Sequence, residues 1–115
     1  MLAVIKSIAI EDHPIDGFVP DDPECFSLNF RIRIGSDEAA GADDFDLCVC
    51  TPTWLSRTIW QPKWGRHLLI VREYDRSTIE TTICEYVAKC TGGEWRDVAG
   101  KLARNFHWEF EDYQE

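Results

Sequence analysis

The chain has 115 residues, of which 44% are hydrophobic and 29% are charged, and its formal net charge is −9. Nucleic-acid binding demands clustered Lys and Arg, so this charge argues against a nucleic-acid partner and against adsorption to an anionic membrane surface. Five Trp, six Phe and three Tyr argue against disorder. Length and composition therefore predict one globular domain, residues 1–115, with its own hydrophobic core.

The charge is distributed unevenly along the chain. Residues 1–50 carry eleven acids and three bases, residues 51–107 carry six acids and nine bases, and residues 108–115 carry four acids and no base. Solubility alone explains many acidic proteins. The alternative is an acidic surface that meets a basic partner.

Cysteine usage and the N-terminal segment both indicate a cytoplasmic protein. The five cysteines are odd in number and have no framework spacing, so we expect reduced thiols that pack as small apolar side chains. The apolar run at the N-terminus is too short and interrupted for a secretion signal, and nothing resembles a transmembrane span. Reduced cysteines fit the cytosol best.

The first fifty residues predict three strands. Residues 1–10 are apolar and β-branched, whereas residues 11–24 are rich in Pro and acids and form a loop that is either functional or holds a short turn of helix. From Phe26 to Ile34 apolar side chains alternate with polar ones, and the alternation resumes from Phe45 to Val49 after a polar turn. The two alternating runs predict a β-hairpin.

A short helix and a central strand are predicted next. Thr51 is a hydroxyl N-cap followed by Pro52 at the first helical position, and Pro62 ends the helix. The run Leu68–Val71 contains four consecutive large aliphatic residues. A strand that is apolar on both faces needs cover on both faces, so we expect this strand to lie inside the sheet.

Two amphipathic helices follow, and they complete the predicted fold. The first begins at Asp75 and ends at Thr91-Gly92-Gly93, where a glycine can take the left-handed cap geometry; the second covers residues 95–106. Residues 108–113 alternate aromatic and acidic side chains, which indicates a short edge strand or a docked tail. The predicted fold class is α+β, an antiparallel β-sheet with amphipathic helices packed on one face.

No catalytic residue, metal site or cofactor site is predicted. The three His residues lie in different elements, the cysteines lack metal-ligand spacing, and no phosphate-binding or hydrolase motif is present. An enzyme would need a pocket that joins Cys48 or Cys50 to His67. Trp54, Trp60 and Trp64 cluster around the short helix, where they either pack in the core or form an exposed anchor at an interface.

Three segments in order carry a family resemblance. They are residues 45–55 (FDLCVCTPTWL), residues 65–71 (GRHLLIV) and residues 108–113 (WEFEDY). Together with Asp21-Asp22-Pro23 and the Phe26 strand, they resemble the immunity protein 8 family of bacterial polymorphic toxin and contact-dependent inhibition systems. The resemblance implies a small cytoplasmic protein that binds the C-terminal domain of a toxin encoded beside it and blocks it without catalysis.

Carboxylates are the predicted contact residues. Many toxins of these systems are nucleases with basic clefts, where an inhibitor can present carboxylates in place of the nucleic-acid backbone. The candidate partner-binding residues are the group Asp43, Asp44 and Asp46, the loop Asp21, Asp22 and Glu24, the tail Glu109, Glu111 and Asp112, and the aromatic residues Trp60 and Trp64.

Several alternatives remain open at the level of sequence. A small cytoplasmic adaptor or ligand-binding module, in which the Trp residues or the acidic loop grip a peptide or small molecule, is the alternative function. The chemistry of the toxin, and the choice between active-site occlusion and exosite inhibition, are also undecided. An unpaired edge strand or an exposed Trp would support a homo-oligomer, and the sequence does not fix the oligomeric state.

Overall fold

The structure is a computed structural model that describes residues 1–111. The strands are β1 (Ala3–Ile10), β2 (His13–Pro14), β3 (Ser27–Ser36), β4 (Asp43–Cys50), β5 (Leu68–Ile70) and β6 (His107–Trp108), and the helices are α1 (Pro52–Thr58), α2 (Arg76–Lys89) and α3 (Trp95–Leu102). This confirms the predicted α+β class. Among the described residues, no helix is both long and apolar enough to cross a bilayer.

The sheet is built around the predicted hairpin. Its strand order is β2-β1-β3-β4-β5, and β6 also pairs with β4. Strands β3 and β4 are antiparallel, with Ser27 opposite Cys50 and Ile34 opposite Asp43, which confirms the hairpin. The β4–β5 pair is parallel. The segment 11–24 contains the two-residue strand β2, which extends the end of β1, and no helix.

The core lies between one face of the sheet, here called the inner face, and helices α2 and α3. The alternation in β3 and β4 directs one set of apolar side chains to this face, as the strand period of two requires. The buried sheet residues include Phe30, Ile32, Ile34, Phe45, Leu47 and Val49, and the buried helix residues include Ile79, Ile83, Val87, Val98, Ala99 and Leu102. Both helices therefore pack on one face, as predicted.

The predicted helix starts are confirmed by capping hydrogen bonds. The Thr51 hydroxyl accepts the Trp54 backbone N–H at 3.3 Å and opens α1, while the Asp75 carboxylate accepts the Thr78 N–H at 3.2 Å and opens α2. Thr51 is fully buried and also accepts the backbone N–H of Phe26 at 3.2 Å. The cap thus joins α1 to the start of β3.

The prediction of a central strand at Leu68–Val71 is wrong. Strand β5 has three residues and lies at the edge of the sheet, and Ile70 is 55% exposed. Because β6 pairs with the first part of the same edge of β4, at Phe45 and Asp46, only the end of β4 remains for β5. Strand β5 is therefore short.

The end of α2 also differs from the prediction. The C-cap is Cys90 in an extended conformation, and Gly17 is the glycine with positive φ among the described residues. The chain turns back towards β1 instead, where the Gly92 N–H donates to the Met1 carbonyl at 3.3 Å. A Cβ at Gly92 would lie 2.6 Å from the Cβ of Asp97, so glycine is required here for close approach.

The C-terminal segment supplies the predicted edge strand. In β6, Trp108 stacks on Phe45 with ring centroids 6.3 Å apart and planes 10° apart. Burial of this aromatic pair fixes the tail to β4. The predicted tail residues Asp112 and Tyr113 lie outside the described residues.

Candidate interaction surface

The outer face of the sheet, opposite α2 and α3, carries two cross-strand ion pairs. Arg31 donates two hydrogen bonds to the Asp46 carboxylate, at 3.0 and 3.2 Å, and Arg33 donates one to Asp44 at 3.0 Å. In each pair the two residues are directly opposite each other in the β3–β4 register. The hydrogen bond and charge of Asp46 raise the pKa of the Arg31 guanidinium.

The third member of this predicted acidic group has a structural role. The half-buried carboxylate of Asp43 accepts the indole N–H of Trp95 at 2.8 Å and that of Trp108 at 3.0 Å. It therefore connects α3, β4 and β6. All three carboxylates of the group Asp43, Asp44 and Asp46 are hydrogen-bonded within the chain, so a partner would have to compete with internal donors.

The described part of the acidic tail is also bound to the body of the protein. Glu109 accepts the backbone N–H of Asp44 at 2.8 Å. Glu111 accepts a hydrogen bond from Arg66 at 2.8 Å, and its side chain is only 16% exposed. These contacts hold the tail against β4 and the loop before β5.

The carboxylates of the acidic loop, Asp21, Asp22 and Glu24, are the most available of the predicted set. All three residues are exposed, and within residues 1–111 they form no ion pair. The Asp22 carboxylate accepts the backbone N–H of Glu24 at 2.9 Å, a contact within the loop itself. The loop itself is anchored, since Arg57 of α1 contacts the Cys25 sulfur at 3.6 Å. The acidic loop therefore lies beside α1.

A groove lies on the outer face between α1 and the segment that leads into β5. Its volume is about 520 Å³, and its apolar lining consists of Trp54, Leu55, Ile59, Trp64 and Leu68. Leu68 reaches the outer face because it pairs with Cys48 across the parallel β4–β5 ladder, and paired residues point to the same side. We call this feature the α1 groove.

Two tryptophans in the segment after α1 are almost fully exposed: Trp64 lines the α1 groove, and Trp60 directly follows the lining residue Ile59. Trp60 is 85% exposed and Trp64 is 95% exposed, whereas Trp54 is half-buried in the groove wall. Trp60 and Trp64 therefore do not pack in the core. Large exposed aromatic side chains are enriched at the energetic centres of protein interfaces.

The polar lining of the α1 groove is cationic. It consists of Lys63 and Arg66 together with Ser27 and Cys48, whose Oγ and Sγ atoms lie 3.3 Å apart. Within the described residues Lys63 forms no ion pair, while Arg66 pairs with Glu111. No acidic residue of the described chain lines the groove.

Cys50 is buried, and His67 packs within the fold. Burial raises the pKa of the Cys50 thiol to about 11, which keeps it protonated at neutral pH. The His67 ring lies 3.3 Å from the Ala103 carbonyl and packs against His107, with centroids 5.7 Å apart. No group of three or more His, Cys, Asp or Glu in residues 1–111 is arranged to hold a metal ion.

The exposed tryptophans were predicted contact residues, but the groove beside them was not predicted from the sequence. Leu55, Ile59, Lys63, Arg66 and Leu68 were not among the predicted contact residues. A signal was present, because the bases of the groove interrupt an aromatic segment in a chain whose two ends are acidic. The groove itself depends on the parallel register of β5, which the sequence did not indicate.

Comparison with known proteins identifies the family. The model of the family described as immunity protein 8 matches residues 3–113, nearly the whole chain. No curated protein and no solved structure gives a significant match. Immunity families are generally non-enzymatic and imply a toxin as the partner protein. The match confirms the resemblance found in the sequence, and the chain belongs to the immunity protein 8 family.

Proposed function

We propose that the protein neutralises a cognate bacterial toxin by binding its toxic domain through a surface centred on α1. The observation that carries this proposal is the exposure of Trp60 and Trp64, 85% and 95%, beside an open apolar groove. Family membership supports the immunity role, and the exposed aromatics support this location for the contact.

The energetic argument rests on the apolar area that these two side chains leave in water. A Trp side chain buries roughly 150–250 Å² in an interface, and at about 25 cal/mol per Å² this gives roughly 4–6 kcal/mol before the costs of association. Two such anchors next to a groove provide the centre of a tight interface. An interface of this kind neutralises a toxin without any chemical step.

The acidic loop extends the proposed surface along α1. Trp54 and Leu55 line the groove, while Arg57 of the same helix contacts Cys25 at the end of the acidic loop. One toxin domain can therefore contact both features. Asp21, Asp22 and Glu24 favour a toxin with a basic cleft, such as a nuclease, because opposite charge accelerates association.

The test is calorimetric titration of the protein into the toxin domain encoded by the neighbouring gene. We expect the double variant Trp60→Ala/Trp64→Ala to weaken binding by at least about 100-fold, since truncation of an interface hot spot costs about 2 kcal/mol or more. Leu2→Ala is the control, because Leu2 is 52% exposed at the opposite end of the sheet.

The double variant should remain folded, so its affinity reports on the contact itself. Because the two tryptophans are exposed, their removal should change the free energy of unfolding by no more than about 0.5 kcal/mol, so lost binding would not reflect lost folding. Wild-type affinity in the double variant would place the contact elsewhere on the protein. A wild-type protein that neither binds the toxin domain nor protects cells from it would refute the function.

A separate kinetic measurement tests the acidic loop. Asp21→Asn/Asp22→Asn should slow association and reduce its dependence on salt, while the dissociation rate changes little. Glu85→Gln/Glu94→Gln removes the same charge from exposed positions on and next to the helical layer and serves as the matched control. Equal association rates in both variants would exclude the acidic loop from the contact.

A further inference from the structure

The α1 groove has the opposite charge to the rest of the protein. The chain has a net charge of −9, yet the charged residues that line the groove are Lys63 and Arg66. Acidic residues of the described chain are absent from the lining. A partner segment with cationic side chains would be repelled here, and a segment with carboxylates would be attracted.

One of these cations already binds a carboxylate. Arg66 donates a 2.8 Å hydrogen bond to Glu111, which the C-terminal segment brings to the rim of the groove. The Lys63 ammonium has no equivalent partner within residues 1–111. The rim thus has one position where a carboxylate is bound and one cation that is free to bind another.

The apolar interior of the groove determines which partner side chains bind next to the partner's carboxylate. Trp54, Leu55, Ile59 and Leu68 form its apolar surface, and Trp64 projects beside it. A volume of about 520 Å³ lies in the range of roughly 300–1,000 Å³ that is typical of ligand pockets. It suits a few large side chains of a chain segment rather than a folded surface.

We infer that the α1 groove binds a segment of the toxin in which large apolar side chains stand next to carboxylates. This inference rests on the proposed function and adds the chemistry of the bound segment. The apolar side chains fill the groove between Trp54 and Leu68, and a carboxylate pairs with Lys63. The toxin therefore offers two kinds of contact, an anionic apolar segment for the groove and basic residues for the acidic loop.

Single-stranded nucleic acid is a second class of anionic ligand that binds to exposed aromatic side chains, because its bases stack on them. The groove provides two cations, one of which already pairs with Glu111, and the acidic loop contacts the same helix. Phosphate binding calls for more Lys and Arg than this. A protein segment is therefore the occupant that the charges favour, and an oligonucleotide is included as a competing probe.

The first part of the test uses peptides and the ¹⁵N-labelled protein. The probe is acetyl-Asp-Leu-Phe-Glu-Leu-amide, and its neutral control is acetyl-Asn-Leu-Phe-Gln-Leu-amide. We expect the acidic peptide to shift the indole N–H signals of Trp54 and Trp64 and the backbone signals of Lys63 and Leu68. It should bind about tenfold more tightly than the neutral peptide, and Lys63→Glu should remove that difference.

The second part uses the toxin domain itself. Lys63→Glu should weaken toxin binding by about tenfold or more, because it places like charges together at the rim. Lys89→Glu makes the same charge change at an exposed position on α2 and should leave the affinity within about twofold of wild type.

The outcomes separate this inference from the proposed function. Toxin binding that Lys63→Glu leaves unchanged, together with equal affinities for the two peptides, would overturn the inference and leave the immunity function intact. A toxin domain that does not bind the wild type would refute the function, and the peptide titration would then decide the groove chemistry alone. Tighter binding of an oligouridylate at the same residues would overturn the inference in favour of nucleic acid.

Discussion

Asp43 was predicted from the sequence as a contact residue, but in the structure its carboxylate accepts hydrogen bonds from two indole N–H groups. Replacement by Ala removes an acceptor that binds Trp95 at 2.8 Å and Trp108 at 3.0 Å. Both indoles are partly buried, so water only partly replaces the carboxylate. We expect Asp43→Ala to loosen β6 and the N-terminus of α3 together.

The magnitude follows from the two hydrogen bonds. A hydrogen bond to a charged group contributes about 1.5–3 kcal/mol, and partial exposure favours the lower value, so the loss of both costs about 3 kcal/mol. At an unfolding entropy of about 2.1 cal/mol/K per residue, a chain of 115 residues should lose about 12 °C in Tm. Both indoles donate to the same carboxylate oxygen, Oδ2, so the amide oxygen of Asp43→Asn can accept both hydrogen bonds. This variant loses only the contribution of the charge and should lose about half as much stability.

The assay is urea unfolding followed by far-UV circular dichroism, which does not depend on the altered indole environment. Glu73→Ala is the control, since this exposed carboxylate forms no ion pair within residues 1–111, and its free energy of unfolding should stay within about 0.5 kcal/mol of wild type. A destabilisation below about 1 kcal/mol in Asp43→Ala would show that the two indole hydrogen bonds contribute little to the stability of the fold.

Three further predictions concern the fold. Thr51→Ala should lower the free energy of unfolding in urea by about 2–4 kcal/mol because it removes both a helix cap and a buried acceptor. Thr51→Ser should retain most of that stability, and equal losses in the two variants would contradict the capping role. Gly92→Ala should destabilise by about 1–3 kcal/mol because its Cβ would meet Asp97, whereas Gly100→Ala, which has open space in α3, should stabilise by about 0.5–1 kcal/mol. Burial raises the pKa of Cys50 from 9.0 to about 11, so the native state loses stability as the pH rises between these values. Cys50→Ala should show a shallower loss in the same pH range. An identical pH profile would show that this thiol does not cause the loss of stability.

The strands and long helices were predictable because periodicity records which face of each element is buried. The alternation around Phe30 and Phe45 predicted the hairpin, and the stripe from Ile79 to Val87 predicted α2. The position of β5 was not predictable in this way. Four consecutive aliphatic residues indicate burial on both sides, but they do not show which edge of which strand is still unpaired.

Tertiary structure also decided which acidic side chains form contacts within the chain, although the ion pairs of the hairpin could have been predicted from the sequence. Once the hairpin register is known, Arg31 and Arg33 lie opposite Asp46 and Asp44, so the alternating charges of the two strands already indicated ion pairs. The indole partners of Asp43 come from positions 52 and 65 residues away. No local pattern predicts such a contact.

The sequence by itself determined the fold class, the hairpin, the starts of α1 and α2 and the family, because these depend on local patterns and on the order of motifs along one chain. Only the tertiary structure decided which charges are satisfied internally and which surface remains open. Those properties depend on residues far apart in sequence, such as Arg66 with Glu111 and Leu68 with Cys48. The α1 groove exists because the parallel pairing of β5 with β4 brings Leu68 close to Trp54 and Leu55 of α1. Pairing between distant segments is a property of the folded chain.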